Sequence, residues 1–297
     1  MKTTILLAFC IFLTFGKLYS QANQKLLFCS ENGYQDLFVR KNNLQRIYII
    51  YQGFFVLNGS SDFSKDLMKK SLDRIIPDKF QTGYATLDWE GVPYNILHGA
   101  KQVPKQVYNE VLNKFIATIL YAKELRPNIR WSFYGMPTIP YMEYEEGNEE
   151  WAANLMPLLR NLDFFDPSLY LLNDRETFSE TNTNFSSSSY LHYSLELAVI
   201  MNKPIFPFIW HRYSSNGALM SKELFRETMK DILSMQYQNR KVNGVVWWNC
   251  EPYLFDNKKD SKIISEEYKN VVDPAKYQID LLQNYLNYIE PLIKNGG

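Results

Sequence analysis

The chain has 297 residues with 46% hydrophobic and 22% charged residues, an ordinary globular balance that excludes a disordered protein. Lys+Arg and Asp+Glu are both 32, so the formal net charge is zero and the basic excess of a nucleic-acid binder is missing. Aromatic residues make up 15%, and such side chains serve equally as core and as stacking faces for sugars.

Lys2, the apolar run Ile5 to Phe15, and the small polar exit to Ser20 read as a secretory signal peptide cleaved near Ser20. Residues 1–20 are therefore expected to be removed, leaving one domain over 21–297 that is secreted or periplasmic. Nothing downstream has the length of apolar sequence that a membrane span needs. Two cysteines remain, Cys29 and Cys250, as candidates for a disulfide or for two buried thiols. His98, His192 and His211 are isolated from one another and no metal motif is present, so neither metal nor cofactor is expected.

Strands are expected at Lys25 to Ser30 and Ile47 to Tyr51, and a helix over Ser64 to Ile76 with Met68, Leu72, Ile75 and Ile76 on one side. A third strand begins at Gly83. Alternation puts Tyr84, Thr86, Asp88 and Glu90 on one face and Ala85, Leu87 and Trp89 on the other. A polar face inside an apolar strand is costly unless it lines a site, and two acids at its end should push each other's pKa apart. A long helix over Pro104 to Leu125 leads to strand four at Arg130 to Gly135. A helix over Glu149 to Leu162, which Pro157 should kink or shorten, leads to strand five at Asp166 to Leu171. Thr177 to Ser189 reads as an exposed loop. A helix at Tyr190 to Met201, strand six at Pro204 to Trp210, a helix at Ser221 to Gln238, strand seven at Val242 to Trp248 and a helix at Pro274 to Lys294 complete the chain.

Strands alternating with helices imply an α/β fold, a single TIM-type (β/α) barrel with seven candidate strands, one short of the usual eight. The site of such a barrel lies at the C-terminal strand ends, where Asp88, Glu90, Tyr134, Tyr170, Trp210 with His211, and Trp247-Trp248 gather. A second Asp-x-Glu, Asp174-Arg175-Glu176, reads as solvated surface. Tyr134 and Tyr170 are also plausible core tyrosines, and only one of Trp247 and Trp248 can face inward.

These blocks resemble the hyaluronidases, glycoside hydrolase family 56. Ile75 to Phe80 leading into Asp88-Trp89-Glu90 is similar to the family's catalytic strand, and Trp131 to Pro137 to its next strand ending Tyr-Gly-Phe-Pro. Asp166 to Leu171 resembles Pro-Ser-Ile-Tyr-Leu, Pro204 to Tyr213 the venom members' Leu-Pro-Tyr-x-Trp-x-x-Tyr, and Gly244 to Trp248 the Gly-Val-Val-x-Trp strand. The resemblance implies a distorted seven-stranded barrel, in line with that count, and an endo-acting, retaining hydrolase of a polysaccharide containing N-acetylhexosamine. In it the substrate's acetamido oxygen is the nucleophile, an exception to the two-carboxylate scheme. Glu90 would be general acid and then base. Asp88 would orient the acetamido N–H and help keep Glu90 protonated. Tyr134, Tyr170, Trp210 and Trp248 would contact the sugar, Trp248 being the inward tryptophan.

The chain departs from the family at Gly91-Val92-Pro93-Tyr94, where a Trp-Arg-Pro run is usual, and at Thr138, where an Asp is common. No basic cluster beside the acids is evident, and the run Asn257 to Lys262 reads as solvated loop. Two other functions stay open from the residues alone. One is a barrel that binds glycans without cutting them. The other is a hydrolase of non-acetylated sugars using a second carboxylate, for which Glu143, Glu145 and Glu146 are placed.

Overall fold

The computed structural model describes residues 24–29, 33–99, 101–138, 149–178 and 187–294. The signal segment, Glu143, Glu145, Glu146 and the centre of the Thr177–Ser189 loop lie outside them.

The strands are β1 (Lys25–Cys29), β2 (Gln45–Tyr51), β3 (Gly83–Asp88), β4 (Ile129–Phe133), β5 (Phe208–Ile209), the hairpin pair β6 (Gln236–Tyr237) and β7 (Arg240–Lys241), and β8 (Gly244–Trp247). Six form one parallel sheet in the order β4-β3-β2-β1-β8-β5. The helices are α1 (Gly33–Lys41), α2 (Lys65–Ile75), α3 (Val92–Leu97), α4 (Lys105–Leu125), α5 (Glu149–Asn161), α6 (Ser187–Ile200), α7 (Lys222–Ser234), α8 (Glu251–Asp256), α9 (Lys262–Glu267) and α10 (Pro274–Lys294).

The expected fifth strand is not a ladder strand, yet its residues close the ring. On one side Asp163 N–H donates to Trp131 O (2.8 Å) and Asp166 N–H to Met136 O (2.8 Å), while Gly135 N–H donates to Asp166 O (3.1 Å). On the other, Phe165 N–H donates to Pro204 O and Phe206 N–H to Phe165 O, each 2.8 Å, with parallel bridges Phe165–Ile205 and Ser168–Phe208. Residues 163–169 thus act as the seventh stave of a distorted barrel, irregular because Pro167 and Pro204 cannot donate to a ladder.

Two apolar layers follow from strand alternation. Leu27, Ile47, Tyr84, Phe164, Phe206, Phe208 and Val246 fill the inside of the barrel. Ala85, Leu87, Trp89, Trp131 and Trp247 face outward and pack beneath the helices. Trp89 stacks on Phe115 of α4 at 4.5 Å and 8°. Helix α2 starts where Ser64 accepts a hydrogen bond from Leu67 N–H, a side-chain N-cap. Pro157 lies inside α5 without ending it. The helix expected to reach Gln238 stops at Ser234, because Gln238 and Asn239, both at positive φ, turn the β6–β7 hairpin.

Several short elements escaped the sequence reading: α1, α3, α8 and α9 span six to nine residues, too few for a clear apolar period. Among the described residues, no helix is long and apolar enough to cross a membrane, and no group of three His, Cys, Asp or Glu could hold a metal ion.

Candidate active site

Parallel pairing brings the carboxyl ends of the strands together at one end of the barrel. Tyr51 of β2 stands opposite Asp88 of β3, and Tyr134 N–H donates to Leu87 O (3.0 Å) just past β4. Asp88, Glu90, Tyr134, Tyr170, Trp210 and Trp248 all line one cleft of 1060 Å³.

The acids differ in exposure. Glu90 is exposed, while Asp88 is largely enclosed and its Oδ1 has no hydrogen-bond partner among the described residues. Burial, and secondly the charge of Glu90, push the Asp88 carboxyl up to about 7. The two acids at this strand end are therefore unequal in exposure, and burial is the main cause of the raised proton affinity of Asp88. Trp210, 7% exposed, has an indole N–H that also lacks a partner. The cleft thus presents one buried acceptor and one buried donor, each costly unless a ligand completes it.

The aromatic wall is continuous. Tyr170 stacks on Trp248 at 5.3 Å and 20°, and Trp210 meets Trp248 at 4.7 Å and 60°. Trp248 Nε1–H donates to Tyr51 Oη at 3.4 Å, which fixes the indole plane. Its neighbour Trp247 faces the other way, fully buried, with its N–H on His211 Nδ1 (3.1 Å). Tyr134 Oη is bonded to Ser168 Oγ (2.9 Å), and burial drives its pKa, like that of Tyr170, far above the usual tyrosine value. Both phenols therefore stay neutral and serve as hydrogen-bonding groups.

Cys29, which ends β1, and Cys250, the residue before α8, are both buried thiols lining this same cleft and are not joined by a disulfide. His211 belongs elsewhere: it is fully buried with Nε2 on Glu251 (3.0 Å) and plays no part in the cleft. Asp174 and Arg175 are exposed as expected. Glu176 is not: its carboxylate is buried and accepts the Leu172 N–H at 2.7 Å.

Sequence reasoning missed the cations. Arg46 and Arg74 line the cleft from β2 and α2, whereas the Asn257–Lys262 run does not. Arg46 lies over the Tyr48 ring at 4.5 Å and pairs with Asp36 at 3.1 Å; Arg74 lies over Phe54 at 5.3 Å. They are too far apart in sequence to read as a cluster.

Where the family pattern stops, Gly91 takes φ 76° and opens α3. Helix α3 brings Tyr94 against Gly135, where a Cβ would come within 2.5 Å of the Tyr94 hydroxyl. Gly91 to Pro93, Gln52, Gly53 and Val56 to Ser61 line a second cavity of 260 Å³ that also reaches Glu90. Thr138 is buried and hydrogen-bonded to His98, a structural contact away from the acids.

No protein-family model and no curated protein match this chain. Among solved structures, bee venom hyaluronidase matches over 91% of this chain and 100% of its own, at 16% identity and TM-score 0.59. The same enzyme in complex with a hyaluronic acid tetramer matches over 86% and 99%, at 16% identity and TM-score 0.56. The chain has the hyaluronidase fold. A GH18 chitinase from Pseudoalteromonas aurantia aligns more loosely, at 12% identity over 82% and 99%, TM-score 0.39.

Proposed function

We propose that the chain is a secreted glycoside hydrolase that cuts a polysaccharide containing N-acetylhexosamine within the polymer, with retention. The observation that carries this reading is Asp88 Oδ1, a buried acceptor without a partner among the described residues, two residues from an exposed carboxyl in an aromatic-walled cleft. An acetamido N–H is the donor that such an acceptor takes, and accepting it would turn the acetamido oxygen toward the anomeric carbon.

In that arrangement Glu90 gives its proton to the glycosidic oxygen as the C1–O bond breaks, and the acetamido oxygen forms the new bond to C1. Glu90 then takes a proton from water, which opens the cyclic intermediate from the same side and restores the acetamido group. One water is consumed and no protein carboxylate forms a covalent bond, which departs from the two-carboxylate scheme. Trp248, Tyr170 and Trp210 would hold the ring by stacking, and Trp210 Nε1–H is available to a sugar hydroxyl. Glu90 stands between two cavities, so substrate can extend on both sides of the cut, as cleavage within a polymer requires. Arg46 and Arg74 suit the carboxylates of a uronate-containing polymer such as hyaluronan or chondroitin. The fold shared with an enzyme crystallised with a hyaluronic acid tetramer supports the same reading.

The test is reducing-end release from hyaluronan, chondroitin and chitin oligomers by wild type and Glu90→Gln. Loss of at least about 100-fold in kcat, with oligosaccharide binding retained, is expected for removal of a general acid. Equal rates for the two proteins, or turnover of a de-N-acetylated polymer, would overturn it.

A further inference from the structure

One layer below the acids lies a third carboxyl that the mechanism does not use. Asp166 is fully buried. Its Oδ2 accepts from Thr86 Oγ1 and its Oδ1 from Ser132 Oγ, both at 2.7 Å. Thr86 and Ser132 stand opposite each other on β3 and β4. Two residues further along the same faces come Asp88 and Tyr134, and two residues after Asp166 comes Ser168, bonded to Tyr134. The barrel interior is thus layered, with Thr86, Ser132 and Asp166 beneath Asp88, Tyr134 and Ser168.

An acid inside a barrel is expensive to bury. The layering shows what the acid accomplishes. Thr86 and Ser132 carry hydroxyl donors immediately below Asp88, and a carboxylate readily takes hydroxyl bonds. Asp166 occupies both donors, Ser168 is engaged by Tyr134, and Asp88 Oδ1 is left without a partner.

We infer that Asp166 is a positioning residue for the reaction: by engaging the Thr86 and Ser132 hydroxyls it keeps Asp88 from bonding downward into the barrel and reserves its Oδ1 for the substrate's N–H. The inference rests on the reading of Asp88 as that acceptor. The raised proton affinity of Asp88 fits an acid denied local donors. The titratable groups around it are Glu90 on its own strand, Tyr51 on β2, Tyr134 after β4, and Asp166 and Tyr170 from the seventh stave and the residue beyond it.

The test compares wild type, Asp166→Ala, and the triple variant Thr86→Val, Ser132→Ala, Asp166→Ala. The single variant frees two hydroxyls to bond Asp88, whereas the triple variant has none to free and the same space at position 166. A hydroxyl bond to a charged group shifts an equilibrium about 10- to 100-fold. The single variant should therefore lose about that much in kcat on the acetylated oligomers, with KM little changed. The Asp88 carboxyl, followed by carbon NMR, should titrate well below 7. The triple variant, checked for folding by its thermal midpoint, should recover both the rate and the higher titration. A merely structural Asp166 predicts losses that follow stability and no recovery. A single variant as fast as wild type, or a folded triple variant as slow as the single, overturns the inference. A wild type that cuts no acetylated polymer overturns the proposed function instead. The titration then still decides the inference: an Asp88 midpoint unmoved by Asp166→Ala sinks it.

Discussion

At the scale of single residues, Asp88 sets function against stability. A carboxyl raised from 3.8 to about 7 holds more protons folded than unfolded between those values. Stability therefore falls as pH rises from about 4 to about 7 and is level above that. Asp88→Asn keeps the shape and removes the buried charge. It should be more stable than wild type by about 2–4 kcal/mol at pH 8, with the difference fading near pH 4. Urea unfolding at the two pH values measures it, and a variant no more stable at pH 8 would show that the Asp88 charge is well solvated. Oligomer hydrolysis by this variant should fall even as the protein becomes harder to unfold, the usual exchange at a strained site.

At the scale of elements, the C-terminal helices are tied to the sheet by ion pairs as well as by apolar packing. Arg212, just past β5, donates to Glu251 (2.6 and 2.7 Å) and to Glu267 (2.7 and 2.8 Å), joining α8 and α9 to the strand end. Tyr268 Oη–H donates to Glu251 at 3.0 Å, and Gln278 of α10 donates to Glu251 O at 3.1 Å. Burial acts to raise the Glu251 carboxyl, but the bonds from His211 and Arg212 together outweigh it and hold it down at about 2. Burial lowers His211, so its ring is neutral, accepting the Trp247 indole proton at Nδ1 and donating from Nε2 to Glu251. Because Glu251 is depressed, its contribution is present above about 4.5 and is lost as pH falls through about 2. Glu251→Gln leaves Arg212 half-paired in the interior and should cost about 3–5 kcal/mol. A loss of unfolding free energy below about 1 kcal/mol, measured by denaturant titration, would show that Glu267 alone satisfies Arg212.

At the scale of the molecule, everything depends on the ring closing, and closure passes through Gly244. This residue has φ +145°, and a Cβ on it would lie 2.0 Å from Lys25 O, the backbone of the strand that β8 pairs with. No side chain can move to relieve that contact. Gly244→Ala should cost more than about 3 kcal/mol and lower cleavage and thermal midpoint together, because β8 carries Trp248 to the cleft. A variant with wild-type midpoint would mean that β1 and β8 can separate without loss of the fold.

The sequence by itself determined the strands that carry the site, because their signals are local. Alternation at Tyr84 to Glu90 was enough to assign Thr86, Asp88 and Glu90 to one polar face, and density of β-branched and aromatic residues marked β2. It also placed Tyr134, Tyr170, Trp210 and Trp248 at strand ends, and the fold then brought all four to one cleft. Only the tertiary structure decided what depends on distance across the barrel. The enclosure of Asp88, the arrival of Arg46 and Arg74 at the cleft, and the hold of Asp166 on Thr86, 80 positions away, each depend on elements that only the fold brings together. Periodicity reports which way a side chain points. It does not report which side chain from another strand it will meet, and proton affinity and free hydrogen-bonding capacity depend on that meeting.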